Sequence, residues 1–130
     1  MRIRTALIAG ALACVASTSA AFALSNPLVA QLAATGGSRL TGNVTFMQLG
    51  GNVDVGVDLN RDVTNAAVDV RSGSCANPAK ALRYPLVAVN GTTQETRLGV
   101  SLQQLVGNIV VVHKTSSTSS PVVACGAIKG

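Results

Sequence analysis

The chain has 130 residues, with ten Lys or Arg against five Asp or Glu, so its formal net charge is +5. Aromatic residues make up only 2% of the composition, and the basic residues are scattered singly along the chain. Nucleic-acid binding needs clustered cations and stacking aromatics, so this composition argues against it.

The first 23 residues have the pattern of a Sec-type signal peptide. Arg2 and Arg4 give a positive start, residues 5–16 form a short apolar run, and residues 21–23 (AFA) provide the small-x-small cleavage pattern. No segment reaches the roughly 20 apolar residues that a membrane span requires. We therefore expect cleavage after residue 23 and export to the periplasm or the medium. Loss of the two arginines would leave eight basic against five acidic residues, a net charge of +3.

Export to an oxidising compartment changes what the three cysteines of the chain predict. Cys14 lies in the predicted signal peptide, in an ALAC sequence that faintly resembles a lipoprotein box and leaves lipidation open. Removal of the signal leaves Cys75 and Cys125, an even number in an oxidising compartment, which favours a disulfide. Two separate thiols that bind a metal are the alternative, although no second pair of ligands lies close to either cysteine.

The mature chain predicts one all-β domain. Residues 24–37 predict a short lead-in with one helical turn, and the domain follows over residues 38–130. Apolar and polar residues alternate over residues 44–49 and 53–59, which indicates an antiparallel hairpin with a turn at Gly50-Gly51.

The rest of the domain repeats this pattern of short strands and turns. Residues 101–107 predict a single helical turn, with Ser101 as its cap and Gly107 as its stop. Further strands are predicted at residues 66–70, 97–102, 108–113 and 122–128, with turn-rich connections at 89–94 and 114–121. Many short strands with little helical periodicity predict a β-sandwich or flattened barrel.

Four motifs in order resemble Cu/Zn superoxide dismutases, especially the exported bacterial branch. They are VTFMQLGGNVDVGVDL, GSCANP, VVVH and ACGAI. The resemblance implies a Greek-key β-sandwich or flattened barrel of that type, with Cys75 paired to Cys125. Non-enzymatic relatives that share this shape, the chordin-type domains of secreted proteins, are the runner-up.

The resemblance also implies where a metal site would lie. Family members hold copper through four imidazoles, and zinc through three imidazoles and an aspartate, with one histidine bridging. The family's His-x-His pair falls on Val68 and Val70, its late copper ligand on His113, and its superoxide-guiding arginine on Val122. Between Cys75 and Val89 nothing corresponds to the zinc ligands. Because copper redox cycling needs the imidazole set, these replacements argue against dismutase activity.

His113 is the only histidine of the chain. We interpret it as a polar residue at a strand end; the alternative is weak copper or zinc capture together with Asp69, Asp58 or the amino terminus. Because side chains alternate along a strand, Asp69 lies on the face opposite Val68 and Val70, and we expect it to face solvent.

The sequence therefore predicts an exported, non-catalytic superoxide dismutase-like scaffold without a cofactor. It would act as a structural or binding module of the cell envelope or secreted fraction, with an unidentified protein or envelope partner. A copper- or zinc-capturing protein that uses His113 without dismutation is the alternative, and a divergent superoxide dismutase comes third. The ligand and the oligomeric state stay open.

Overall fold

The computed structural model describes residues 26–130; the predicted signal peptide, with Cys14 and the cleavage position, lies outside them. In this part of the chain, no helix is long and apolar enough to cross a membrane. The elements, in chain order, are β1 (Leu28–Ala34), β2 (Gly42–Leu49), β3 (Asn52–Arg71), β4 (Tyr84–Leu98), α1 (Leu102–Leu105), β5 (Ile109–His113) and β6 (Val122–Lys129).

The strands form a closed antiparallel barrel, in the order β2-β1-β6-β5-β3-β4. The 20-residue strand β3 closes it, because its first half pairs with β2 and its second half pairs with β5. β6 lies between β1 and β5, a long-range return of the Greek-key kind. The predicted all-β flattened barrel is confirmed.

Alternation along the strands fills the barrel with aliphatic side chains. On β3, Val53, Val55 and Val57 are buried, while the intervening Asp54, Gly56 and Asp58 face outward. The predicted hairpin is confirmed, with Leu49 opposite Asn52. Gly50 has a φ of +61°, a backbone conformation that L side chains rarely adopt, so this turn favours a glycine.

The amino-terminal segment differs from the prediction. Residues 28–34 form strand β1, so the helical turn expected within residues 24–37 is wrong. Leu28, Ala30 and Leu32 are buried and Gln31 is exposed, which is a period of two. The same LVAQLAA segment also has apolar residues at helical spacing, and the pairing of β1 with β2 and β6 is what makes it a strand.

The connection predicted at residues 89–94 is a sharp bend within the single strand β4 rather than a loop between two strands. Gly91 has a φ of +103°, and the β3–β4 pairing shifts register between residues 58 and 68. The backbone N–H of Val87 donates to Oγ1 of Thr96 at 2.7 Å. A straight strand would separate residues nine apart by about 30 Å, so β4 bends back on itself here.

The short helix occurs where the sequence predicts it. Ser101 is its N-cap residue, and the Ser101 N–H donates to Oε1 of Gln104 at 2.9 Å. Gly107 follows with a φ of +85° and ends the turn. This helix connects β4 to β5, the most buried strand of the barrel.

The disulfide between Cys75 and Cys125 is present, with the two Cα atoms 5.8 Å apart. It ties the loop of residues 72–83, between β3 and β4, to strand β6. In the chain-entropy account, closing a loop of this length contributes roughly 4 kcal/mol. The disulfide therefore holds this loop against the outer surface of the barrel.

Candidate functional site

The residues singled out by the sequence lie on two faces of the barrel wall. Val68 and Val70 point into the aliphatic core and are at most 1% exposed. Asp69 and Arg71 point the other way and lie opposite Val111 and Ile109 of β5. His113, at the end of β5, is on this outer face and contacts both charged residues.

Asp69 does not face solvent, so the expectation drawn from alternation is wrong. Its side chain is 0% exposed although it lies on the outer face. The loops of residues 72–83 and 114–121 cover this part of the wall. The first is held by the disulfide, and the second is held by backbone hydrogen bonds such as Ala67 N–H to the Thr115 carbonyl at 2.9 Å.

Asp69, Arg71 and His113 form a buried ionic cluster. Arg71 Nε donates to Asp69 Oδ1 at 2.6 Å, and Arg71 Nη2 donates to Asp69 Oδ2 at 3.2 Å. The second carboxylate oxygen is also 2.8 Å from His113 Nε2. The Asp69 and His113 side chains are at most 1% exposed, and that of Arg71 is 9% exposed. Burial makes each of these interactions stronger than its equivalent at the surface.

Backbone carbonyls complete the surroundings of the Arg71 guanidinium. Nη1 donates to the carbonyls of Ala79 and Lys80 at 3.3 and 3.1 Å, and Nη2 donates to the carbonyl of Thr118 at 2.7 Å. One side chain thus bonds both covering loops as well as Asp69. Sequence reasoning missed Arg71; the available signal was the opposite charge two residues from Asp69, which a strand places on the same face.

Both ring nitrogens of His113 are engaged. Nδ1 lies 2.9 Å from the carbonyl oxygen of Ser120, which can only accept, so Nδ1 carries a hydrogen. Nε2 lies 2.8 Å from Asp69 Oδ2 and 3.3 Å from Arg71 Nη2. Nε2, the ring nitrogen that faces the cluster, therefore has a carboxylate on one side and a guanidinium on the other.

These residues do not fit the copper and zinc that the superoxide dismutase resemblance implies. Residues 26–130 contain no group of three or more His, Cys, Asp or Glu side chains able to hold a metal ion. Asp58 lines a separate groove formed with β2 and β4, so the predicted combination of Asp58 with His113 is not brought together. Of the partners suggested for His113, Asp69 is in contact with it, and the amino terminus lies outside the described residues.

A cleft of about 430 Å³ opens above the cluster. Val122, the position of the guiding arginine in the resemblance, lines this cleft together with His113. It is half-buried and packs against the apolar outer-face residues Ile109, Val111 and Cys125. The remaining lining residues come from β3 and the two covering loops: Arg71, Lys80, Ala81, Leu82, Thr118, Ser119 and Ser120.

A second concave surface lies on the outer face of β2, β3 and β4, with Gly56 between the exposed carboxylates Asp58 and Glu95. Beside it, Arg97 Nε donates to Asp54 Oδ1 at 2.9 Å across the β3–β4 ladder. That hydrogen bond, and then the charge of the carboxylate, raise the pKa of the Arg97 guanidinium. These side chains are open to solvent, unlike those of the ionic cluster.

No family model matches the chain, and no curated protein matches it in sequence. Solved structures do match. A mutant form of Candida albicans superoxide dismutase 5 superposes with a TM-score of 0.57 at 16% identity, over 82% of this chain and 92% of the other. The Cu(II) form of the same protein superposes with a TM-score of 0.56 at 17% identity, over 81% of this chain and 92% of the other. At such identity the likeness shows the fold alone, and the described chain has a superoxide dismutase-like barrel.

Proposed function

We propose that this protein is an exported, non-catalytic scaffold that keeps the superoxide dismutase-like barrel and its disulfide without the metal chemistry. The observation that carries the proposal is that both ring nitrogens of His113 contact groups of the protein itself. Its Nδ1 is bonded to a backbone carbonyl, and its Nε2 lies between the Asp69 carboxylate and the Arg71 guanidinium.

The chemistry of copper supports this proposal. Copper that cycles between two oxidation states is held in proteins of this kind by several imidazoles, and this chain has one histidine. A cation that approached Nε2 would have to displace the Asp69 bond. It would also meet the positive charge of Arg71 in a buried environment, where like charges repel strongly.

Export and a binding role are part of the same proposal. Disulfides persist in oxidising compartments, so the Cys75–Cys125 bond is consistent with the signal-like sequence of residues 1–23. A barrel that lacks catalysis is left with structural or binding roles, and we place it among envelope-associated or secreted modules with a protein or envelope partner. Fold alone does not identify that partner.

The test is reconstitution with copper and zinc, followed by measurement of bound metal and of superoxide scavenging on the same sample. We expect neither tightly bound metal nor scavenging, while a metallated superoxide dismutase treated in parallel shows both. Roughly one copper per chain with scavenging would overturn the proposal in favour of a divergent dismutase, whose copper would need more ligands than His113.

Copper retained without scavenging would favour the alternative, a metal-capturing protein. The His113–Asp69 contact at 2.8 Å is the observation that favours this alternative, because it joins an imidazole to a carboxylate. A His113→Ala variant removes the only imidazole, so loss of the retained copper in this variant would assign the capture to His113.

A further inference from the structure

The outer face of β3 shows which residues stand beside His113. Asp69 and Arg71 share the face of His113, whereas Val68 and Val70 are enclosed in the barrel core. Positions 69 and 71, spaced two apart on β3, both contact the His113 imidazole from this face. These positions lie one residue later than the pair that the sequence resemblance marks.

The guanidinium of Arg71 occupies the centre of this arrangement. It is a buried cation surrounded by the Asp69 carboxylate, the His113 imidazole nitrogen at 3.3 Å and three backbone carbonyls. These carbonyls belong to Ala79, Lys80 and Thr118, in the two loops that cover the barrel wall. One positive centre thus connects β3, β5 and both loops.

We propose that Arg71 stands in for a metal ion in this barrel. Its guanidinium supplies the positive centre that joins the two loops to the wall, with the Asp69 carboxylate bonded to it and the His113 imidazole beside it. The inference rests on the proposed function, since it explains how a barrel without metal is held together at this place. It follows that Asp69→His and Arg71→His together convert the cluster into a copper site made of three imidazoles.

The experiment is a copper titration of the D69H/R71H variant against a matched control, D54H/R97H. Asp54 and Arg97 are also an ion pair, and they face each other across the β3–β4 ladder. Their side chains are solvent-exposed, at 36% and 66%, and neither contacts His113. Both variants exchange one aspartate and one arginine for histidines, so the composition and the change in charge are matched.

We expect D69H/R71H to bind roughly one Cu(II) per chain, about tenfold or more tighter than the control, because a third imidazole joins the site. Electron paramagnetic resonance should show three nitrogen ligands, and His113→Ala in this background should remove one of them. If the variant is unfolded without metal, copper should restore its native circular dichroism, since metal binding couples to folding.

Copper affinity no better than that of D54H/R97H would overturn the inference, and so would a variant that stays unfolded in copper. The unsubstituted protein, titrated in the same series, separates the two proposals. Copper binding by that protein contradicts the proposed function. A failure confined to D69H/R71H contradicts only the role assigned to Arg71.

Discussion

The carboxylate of Asp69 lies 2.8 Å from Nε2 of His113, and both side chains are buried although they occupy the outer face of the barrel wall. Arg71 bonds the same carboxylate and extends the contact to both covering loops. The chain's only histidine is therefore part of a buried ionic cluster rather than a free ligand.

Asp69→Asn should lower the free energy of unfolding by about 3–5 kcal/mol, because breaking a buried ion pair leaves the guanidinium uncompensated. Urea unfolding followed by circular dichroism measures this loss. Asp54→Asn is the control: it removes the same charge from the exposed pair with Arg97, and its unfolding midpoint should stay close to that of the original protein. Equal effects of the two substitutions would contradict the assigned importance of the cluster.

Replacement of both disulfide cysteines, as Cys75→Ser with Cys125→Ala, should lower stability by roughly 4 kcal/mol. A reducing agent should weaken the original protein by a similar amount and leave the double variant unchanged. In a chain that carries Cys14→Ser, thiol labelling after denaturation without reduction should detect no free thiol. Two labelled thiols per chain would show that the bond does not form.

Gly126→Ala should destabilise the barrel, because a Cβ atom at this position would overlap the backbone oxygen of Gln31 on β1. Forced separation of packed elements costs about 1–3 kcal/mol. Gly56→Ala is the matched control, since a Cβ there meets no atom within 4 Å. If thermal unfolding showed the same midpoint for both variants, the close approach of β1 to β6 would be in doubt.

Alternation made the β2–β3 hairpin predictable, since each buried valine of β3 is followed by an outward residue. Alternation also placed Asp69 on the correct face, but it carries no information on what covers that face. The loops of residues 72–83 and 114–121 bury Asp69, while strand β3 and its pairing with β5 place it beside Arg71 and His113. In β1 the local pattern suits a helix as well as a strand, and pairing with β2 and β6 settles the difference.

The measurement that tests the central claim most directly is urea unfolding of the unsubstituted protein in a metal chelator, compared with unfolding after incubation with excess copper and zinc. If the Arg71 cluster takes the place of a metal, the two midpoints will coincide. A metal that binds only the folded chain, at 100 times its dissociation constant, would add about 2.7 kcal/mol. A higher midpoint with metal, reversed by the chelator, would contradict the account.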